Sequence, residues 1–217
     1  MNDVTMTEVT RRQFVQRMSA VAALAALSEW RLSAATASSA DSTGAAPSPL
    51  VPWYRRSVRW GQTNLTEIDA KRFDLRWWRA QWRRTAIQGV VINAGGIVAY
   101  YPTTVPLHRR SEFLGDRDLF GELRRAAKED GLAVYARMDS NRAGEDFYQA
   151  HPEWFAHDAA GQPYQVTNRY VACVNSPYYD DYIPAILREV AERYRPEGFT
   201  DNNWNGPMRH QPCFCAN

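Results

Sequence analysis

The sequence predicts an α/β fold, the N-terminal half of a (β/α)8 TIM-type barrel in which parallel strands alternate with helices. Three observations carry that reading. Four short β-prone runs, at residues 58–62, 90–92, 132–136 and 199–200, are separated by three stretches with apolar residues at helical spacing. Each run closes on polar side chains, and Gly89, Asp130-Gly131 and Pro196-Glu197-Gly198 supply the turns that lead into the later runs. A doubly wound sheet would share this order, but Asn93-Ala94-Gly95-Gly96 lacks the third glycine of its fingerprint and has no acidic partner downstream. A barrel has eight strands and the sequence offers four, so the chain reads as half of one.

The elements follow in order. Residues 58–62 form the first strand, running into Thr63-Asn64. Asp74 is placed to cap a helix whose stripe is Leu75, Trp78 and Trp82. The second strand, 90–92, ends at Asn93. After an excursion through Tyr100-Tyr101-Pro102 and Pro106, Asp116 is placed to cap a helix with Leu119, Leu123 and Ala127 on one face. The third strand, 132–136, closes on Arg137-Met138-Asp139 and opens a loop too long for a simple connection; such loops usually carry function. Asp180 or Asp181 starts the third helix, with Pro184 in its first turn and Ile183, Leu187, Val190 and Tyr194 as its stripe. The fourth strand ends at Asp201-Asn202-Asn203-Trp204.

Ahead of this domain, residues 1–37 have the form of a twin-arginine signal peptide. Arg11-Arg12 stand two residues before Phe14, a mildly apolar run covers 18–27, and Ala35-Thr36-Ala37 offers small residues for cleavage. Residues 38–52, rich in Ser, Ala, Thr, Gly and Pro, are expected to be a disordered linker to a partial barrel at 53–217. The expected partner in export is the twin-arginine translocase, and the expected location is periplasmic or secreted. No apolar run approaches the ~20 residues of a membrane span. With a net charge of +2 and arginines interleaved with acidic and core positions, the chain has no basic stripe for nucleic acid.

In a barrel the strand carboxyl ends converge on one mouth, which gathers Gln62, Asn64, Asn93, Asp139, Asp201 and Asn202. Carboxylates and amides facing a pocket suit sugar hydroxyls, and glycoside hydrolysis uses two carboxyl groups, one of them ionised. Asp201 is the candidate for the ionised, catalytic one. Trp60, Tyr100, Tyr101, Trp154 and Trp204 are candidates for stacking on sugar rings. Cys173, Cys213 and Cys215 have thiolate-ligand character, so a structural zinc is possible, with His210 or a cysteine beyond Asn217 as fourth ligand. Free thiols are the competing reading, and no cofactor is required.

From about Trp53 onward the sequence resembles the first half of bacterial glycosidase-like barrels grouped as hypothetical glycosyl hydrolases, relatives of the α-L-fucosidase and β-galactosidase barrels. The resemblance rests on His151-Pro152-Glu153-Trp154, on Cys173-Val174-Asn175-Ser176-Pro177 leading into the third helix, and on Gly198-Phe199-Thr200-Asp201-Asn202. It implies a nucleophile at the end of the fourth strand, where Asp201 stands, and a general acid from later strands. Zinc-binding β-galactosidases carry a Cys-x-Cys-x-x-Cys run plus an earlier cysteine; Cys213, Cys215 and Cys173 match three of the four, and the last would fall at position 218. The expectation is therefore an exported, carbohydrate-acting protein, truncated and lacking its general acid. A non-catalytic carbohydrate-binding or structural envelope protein is the alternative.

Overall fold

The computed structural model describes residues 51–202 and 211–217. The signal peptide, most of the linker, Trp204 and His210 lie outside the described residues. Strand β1 (Trp60–Thr63), helix α1 (Leu75–Arg84), β2 (Gly89–Gly96), α2 (Leu119–Glu129) and β3 (Ala133–Asp139) alternate. An insert follows, made of β4 (Arg142–Ala143), α3 (Glu145–Ala150), β5 (Gln165–Val166) and β6 (Arg169–Val171); then come α4 (Ile183–Tyr194) and β7 (Gly198–Asp201). The strands of the main sheet run parallel in the order β1-β2-β3-β7, while β4, β6 and β5 form a small antiparallel sheet inside the insert.

Strand alternation divides the main sheet into two faces. Val90, Ile92 and Ala94 of β2 and Val134, Ala136 and Met138 of β3 are buried in one cluster with Leu119, Leu123 and Ala127 of α2 and Ile183, Ile186 and Val190 of α4. Full burial of each leucine, isoleucine or valine contributes about 1.5–3 kcal/mol, so this helix-facing side holds the layers together. The opposite face presents Trp60, Val91, Tyr135 and Thr200, which line one recess with Trp53 and Tyr54.

The helix ends follow capping chemistry with two changes from expectation. Asp74 caps α1 by accepting from Trp77 N at 3.0 Å. The cap of α2 is Asp118, not Asp116: its carboxylate accepts from Gly121 N at 2.9 Å, whereas Asp116 follows Gly115, whose φ of +56° marks a turn. Neither Asp180 nor Asp181 caps the third helix, because Pro177 has already opened a π-helical turn at Tyr178–Tyr182 that runs straight into α4. Pro184 sits in the first turn of α4, where its missing N–H has no role.

β2 is longer than its apolar run. Asn93 to Gly96 continue the strand through a register shift between Asn93 and Gly95, and Gly96, at φ +101°, lies so close to β3 that a Cβ there would be 2.3 Å from the Asp139 carbonyl oxygen. The bulge therefore depends on glycine, and it presses the end of β2 against the end of β3.

Candidate active site

At the carboxyl ends of β1, β2 and β3 the expected polar residues do meet. Asn93 is buried; its Oδ1 accepts from Leu65 N at 3.2 Å, which leaves its Nδ2 to donate to Asp139 Oδ2 at 3.3 Å. Arg137, one strand period before Asp139 and nearly buried, donates to Asp139 Oδ1 at 3.3 Å and to Asn64 Oδ1. Burial raises the Asp139 pKa, Arg137 opposes that rise, and the negative charge of Asp201 adds to it. The result is a cation and a carboxylate held among amides, with Gln62 and Asn64 exposed on the β1 side.

Asp201 stands apart from this cluster. In the β3–β7 register Thr200 pairs with Arg137 and Asp201 with Met138, so by alternation Asp201 belongs to the helix-facing side of the sheet. Its Oδ2 accepts from the hydroxyl of the fully buried Ser140, and the residue lines a recess of about 300 Å³ with Met138, Ile183, Leu187, Phe199 and Thr200. Asp139 and Asp201 are thus close enough to interact electrostatically, yet they leave adjacent strands on opposite sides. Asn202, exposed, anchors to β3 through its backbone N–H to Met138 O at 3.0 Å.

The aromatic candidates are placed elsewhere. Trp60 begins β1, at the amino end of the sheet; its ring lies 4.8 Å from that of Tyr135 and 6.2 Å from that of Trp53, and it covers Gly89. Its side chain fills the end of the sheet opposite Asp139 because the first strand starts at residue 60 and not at 58. Tyr101 is fully buried and donates to Glu189 Oε2 at 2.8 Å, and Tyr100 donates to Leu65 O at 3.2 Å. Trp154 is half-buried, stacked on His151 at 4.1 Å.

A second cluster forms around the insert. The sulfur atoms of Cys173, Cys213 and Cys215 lie within 4.8 Å of one another, with Cys215 Sγ 3.0 Å from Cys213 Sγ and 3.3 Å from Cys173 Sγ. Sulfurs on a tetrahedral zinc with bonds of ~2.3 Å stand roughly 3.8 Å apart, so the donor type suits such an ion and these sulfurs would move apart by less than about 1 Å to hold it.

The family model described as hypothetical glycosyl hydrolase 6 matches residues 80–202, from within α1 to just past β7. The chain belongs to the hypothetical glycosyl hydrolase 6 family. Among solved structures, it resembles α-L-fucosidase isoenzyme 2 from Paenibacillus thiaminolyticus with a TM-score of 0.60 and 21% identity, over 74% of this chain and 25% of that one. A hypothetical protein from Ruminiclostridium thermocellum aligns with a TM-score of 0.52 and 13% identity, over 70% of this chain and 78% of that one. These likenesses establish the α/β fold with parallel strands alternating with helices, and the chain spans about a quarter of the length of the Paenibacillus enzyme. No curated protein matches it.

In this member of the hypothetical glycosyl hydrolase 6 family the match takes in Asn93, Asp139 and Asp201 together with two residues that sequence reasoning did not place in the site, Arg137 and Ser140. Arg137 had a signal: Tyr135, Arg137 and Asp139 alternate along one strand, so the side that carries Asp139 also carries the arginine. Ser140 had none, because its role depends on the neighbouring strand that brings Asp201 beside it.

Proposed function

We propose that this chain is an exported, glycoside-hydrolase-like protein in which Asp201 is the ionised carboxylate and the Asn64–Asn93–Arg137–Asp139 cluster binds sugar hydroxyls. The observation that carries this reading is the gathering of a carboxylate, a guanidinium and two amides at the carboxyl ends of parallel strands, the end where such folds place their sites. The Ser140 hydroxyl donates to Asp201 Oδ2 and so fixes the orientation of the carboxylate that would attack or activate water. The general acid of a complete barrel would come from a further strand end. Asn202, Trp154 and Trp204 remain candidates for sugar contact, whereas the burial of Tyr101 and the position of Trp60 argue for structural roles.

The test is release of aryl alcohol from a panel of aryl glycosides, α-L-fucosides included, by the chain and by Asp201→Asn. Loss of at least about a thousandfold in kcat with sugar binding retained supports the assignment. Full activity in the variant would sink it. Sugar binding by both proteins with hydrolysis by neither would favour the non-catalytic carbohydrate-binding alternative, which the separation of Asp201 from the hydroxyl-binding cluster makes specific.

Export rests on Arg11-Arg12 and the short apolar run after them. Replacing both arginines by lysine is expected to leave the protein in the cytoplasm when a bacterial host is fractionated; unchanged export would remove the twin-arginine translocase as partner. We further propose a structural zinc on Cys173, Cys213 and Cys215, supported by the convergence of their sulfurs from positions forty residues apart in the chain.

A further inference from the structure

We infer that the metal held by Cys173, Cys213 and Cys215 is a clamp that fastens residues 211–217 onto the insert between β3 and α4. This rests on the zinc reading above. The two sides of the cluster are unequal. Cys173 is buried and framed: its N–H donates to Trp154 O at 2.9 Å, its carbonyl accepts from Ser176 Oγ at 2.8 Å, and the adjacent Ala172 bridges to Phe155.

The other side is an irregular segment. Residues 211–217 contain no helix or strand, and Phe214, the largest apolar side chain among them, is exposed. Hydrogen bonds that join them to the insert include Phe214 N to His157 O at 2.9 Å, Tyr164 OH to Pro212 O at 3.0 Å, and Asn217 Nδ2 to Glu153 O at 2.7 Å. A segment without regular structure whose largest apolar side chain is exposed opens readily on its own. Thiolate bonds to one ion would change that, since Cys213 and Cys215 contribute two ligands from the segment and the buried Cys173 one from the insert. On binding, each thiol gives its proton to solvent and its sulfur bonds the cation; no electron changes hands.

The fastened pieces are those that matter to the proposed site. The insert leaves β3 directly after Asp139, and position 211 stands ten residues beyond Asp201 on the far side of β7.

The experiment is hydrogen–deuterium exchange on the full chain loaded with Zn2+, before and after chelation, with zinc content measured in the same samples and Cys213→Ser as a second way of weakening the site. The expected result is one zinc per chain and, on its removal, exchange faster by at least about tenfold in peptides covering 211–217 and 153–173, with peptides of β2 and β3 unchanged. Cys213→Ser should reproduce the change without chelator. If no zinc binds, the zinc reading falls and the clamp with it. If zinc binds but its removal leaves 211–217 unchanged, the site stands and the clamp is overturned. If β2 and β3 also lose protection, the metal supports the whole fold, which likewise overturns a local clamp.

Discussion

Asp139 shows how much of a residue's chemistry comes from its neighbours. Burial and the charge of Asp201 both disfavour its ionised form, while Arg137 and Asn93 favour it, and the balance lies on the raised side. Removing the charge of Asp201 takes away one of the raising effects, so Asp201→Asn is expected to lower the Asp139 pKa. Carboxyl carbon shifts followed by NMR across the acid range would measure it. An unchanged or higher value would mean that the two carboxylates do not sense each other, and that the pair cannot share work in catalysis. The same reasoning explains why Arg137 is unlike the surface arginines. Arg83 meets Asp130 from the outside of α1, where its exposed guanidinium is screened by solvent. Arg137 has its charge enclosed between Asn64 and Asp139.

Among the elements, β2 does the most to shape the site. Its apolar residues Val90, Ile92 and Ala94 bind it to the helices, while its bulge after Asn93 turns the strand end toward Asp139. Three glycines permit close approaches along it. Gly89 lies under Trp60, Gly95 under His108, and Gly96 against the backbone of Asp139. Only the last combines a left-handed φ with a backbone neighbour that has no room to move, so it is the position where a side chain cannot be accommodated by local repacking. The insert after β3 plays a different part. Its strands are two or three residues long, and it is held by aromatic packing, with Tyr148 stacked on Tyr170 at 3.9 Å and Phe147 against Tyr182 at 4.6 Å.

For the molecule as a whole, a buried relay ties the loop after β2 to α4. Gly96 N–H donates to His108 Nε2 at 3.2 Å, so the proton of the neutral ring sits on Nδ1, 3.1 Å from Thr103 Oγ1; that hydroxyl donates to Glu189 Oε2 at 2.7 Å. Tyr101 and Tyr182 pack around the imidazole, and Glu189 is the charged group that faces it. Burial pushes the His108 pKa down to about 4, against the favourable pull of Glu189. An unfolded histidine titrates near 6.5, so between those values the unfolded chain takes up a proton that the folded chain refuses. Stability is therefore full above about pH 6.5 and falls as pH drops toward 4, by about 3 kcal/mol from this group. Urea unfolding at pH 7 and pH 4.5 should show that loss, and His108→Asn should flatten it; an equal loss in the variant would assign the acid sensitivity to other groups. Much of this fold was legible beforehand. Strand and helix types, their order, the Asp74 cap and the polar strand ends follow from periodicity and turn chemistry, which act over a few neighbouring residues. The convergence of Asn64, Asn93 and Asp139 followed as well, because strand ends in a parallel sheet share one edge. Four things were decided only when the chain folded. Trp60 packs at the amino end of the sheet, Tyr101 is buried against Glu189, Asp201 faces Ser140, and three cysteines meet across the insert. Each depends on strand register or on contacts between residues distant in the chain, and local patterning carries neither.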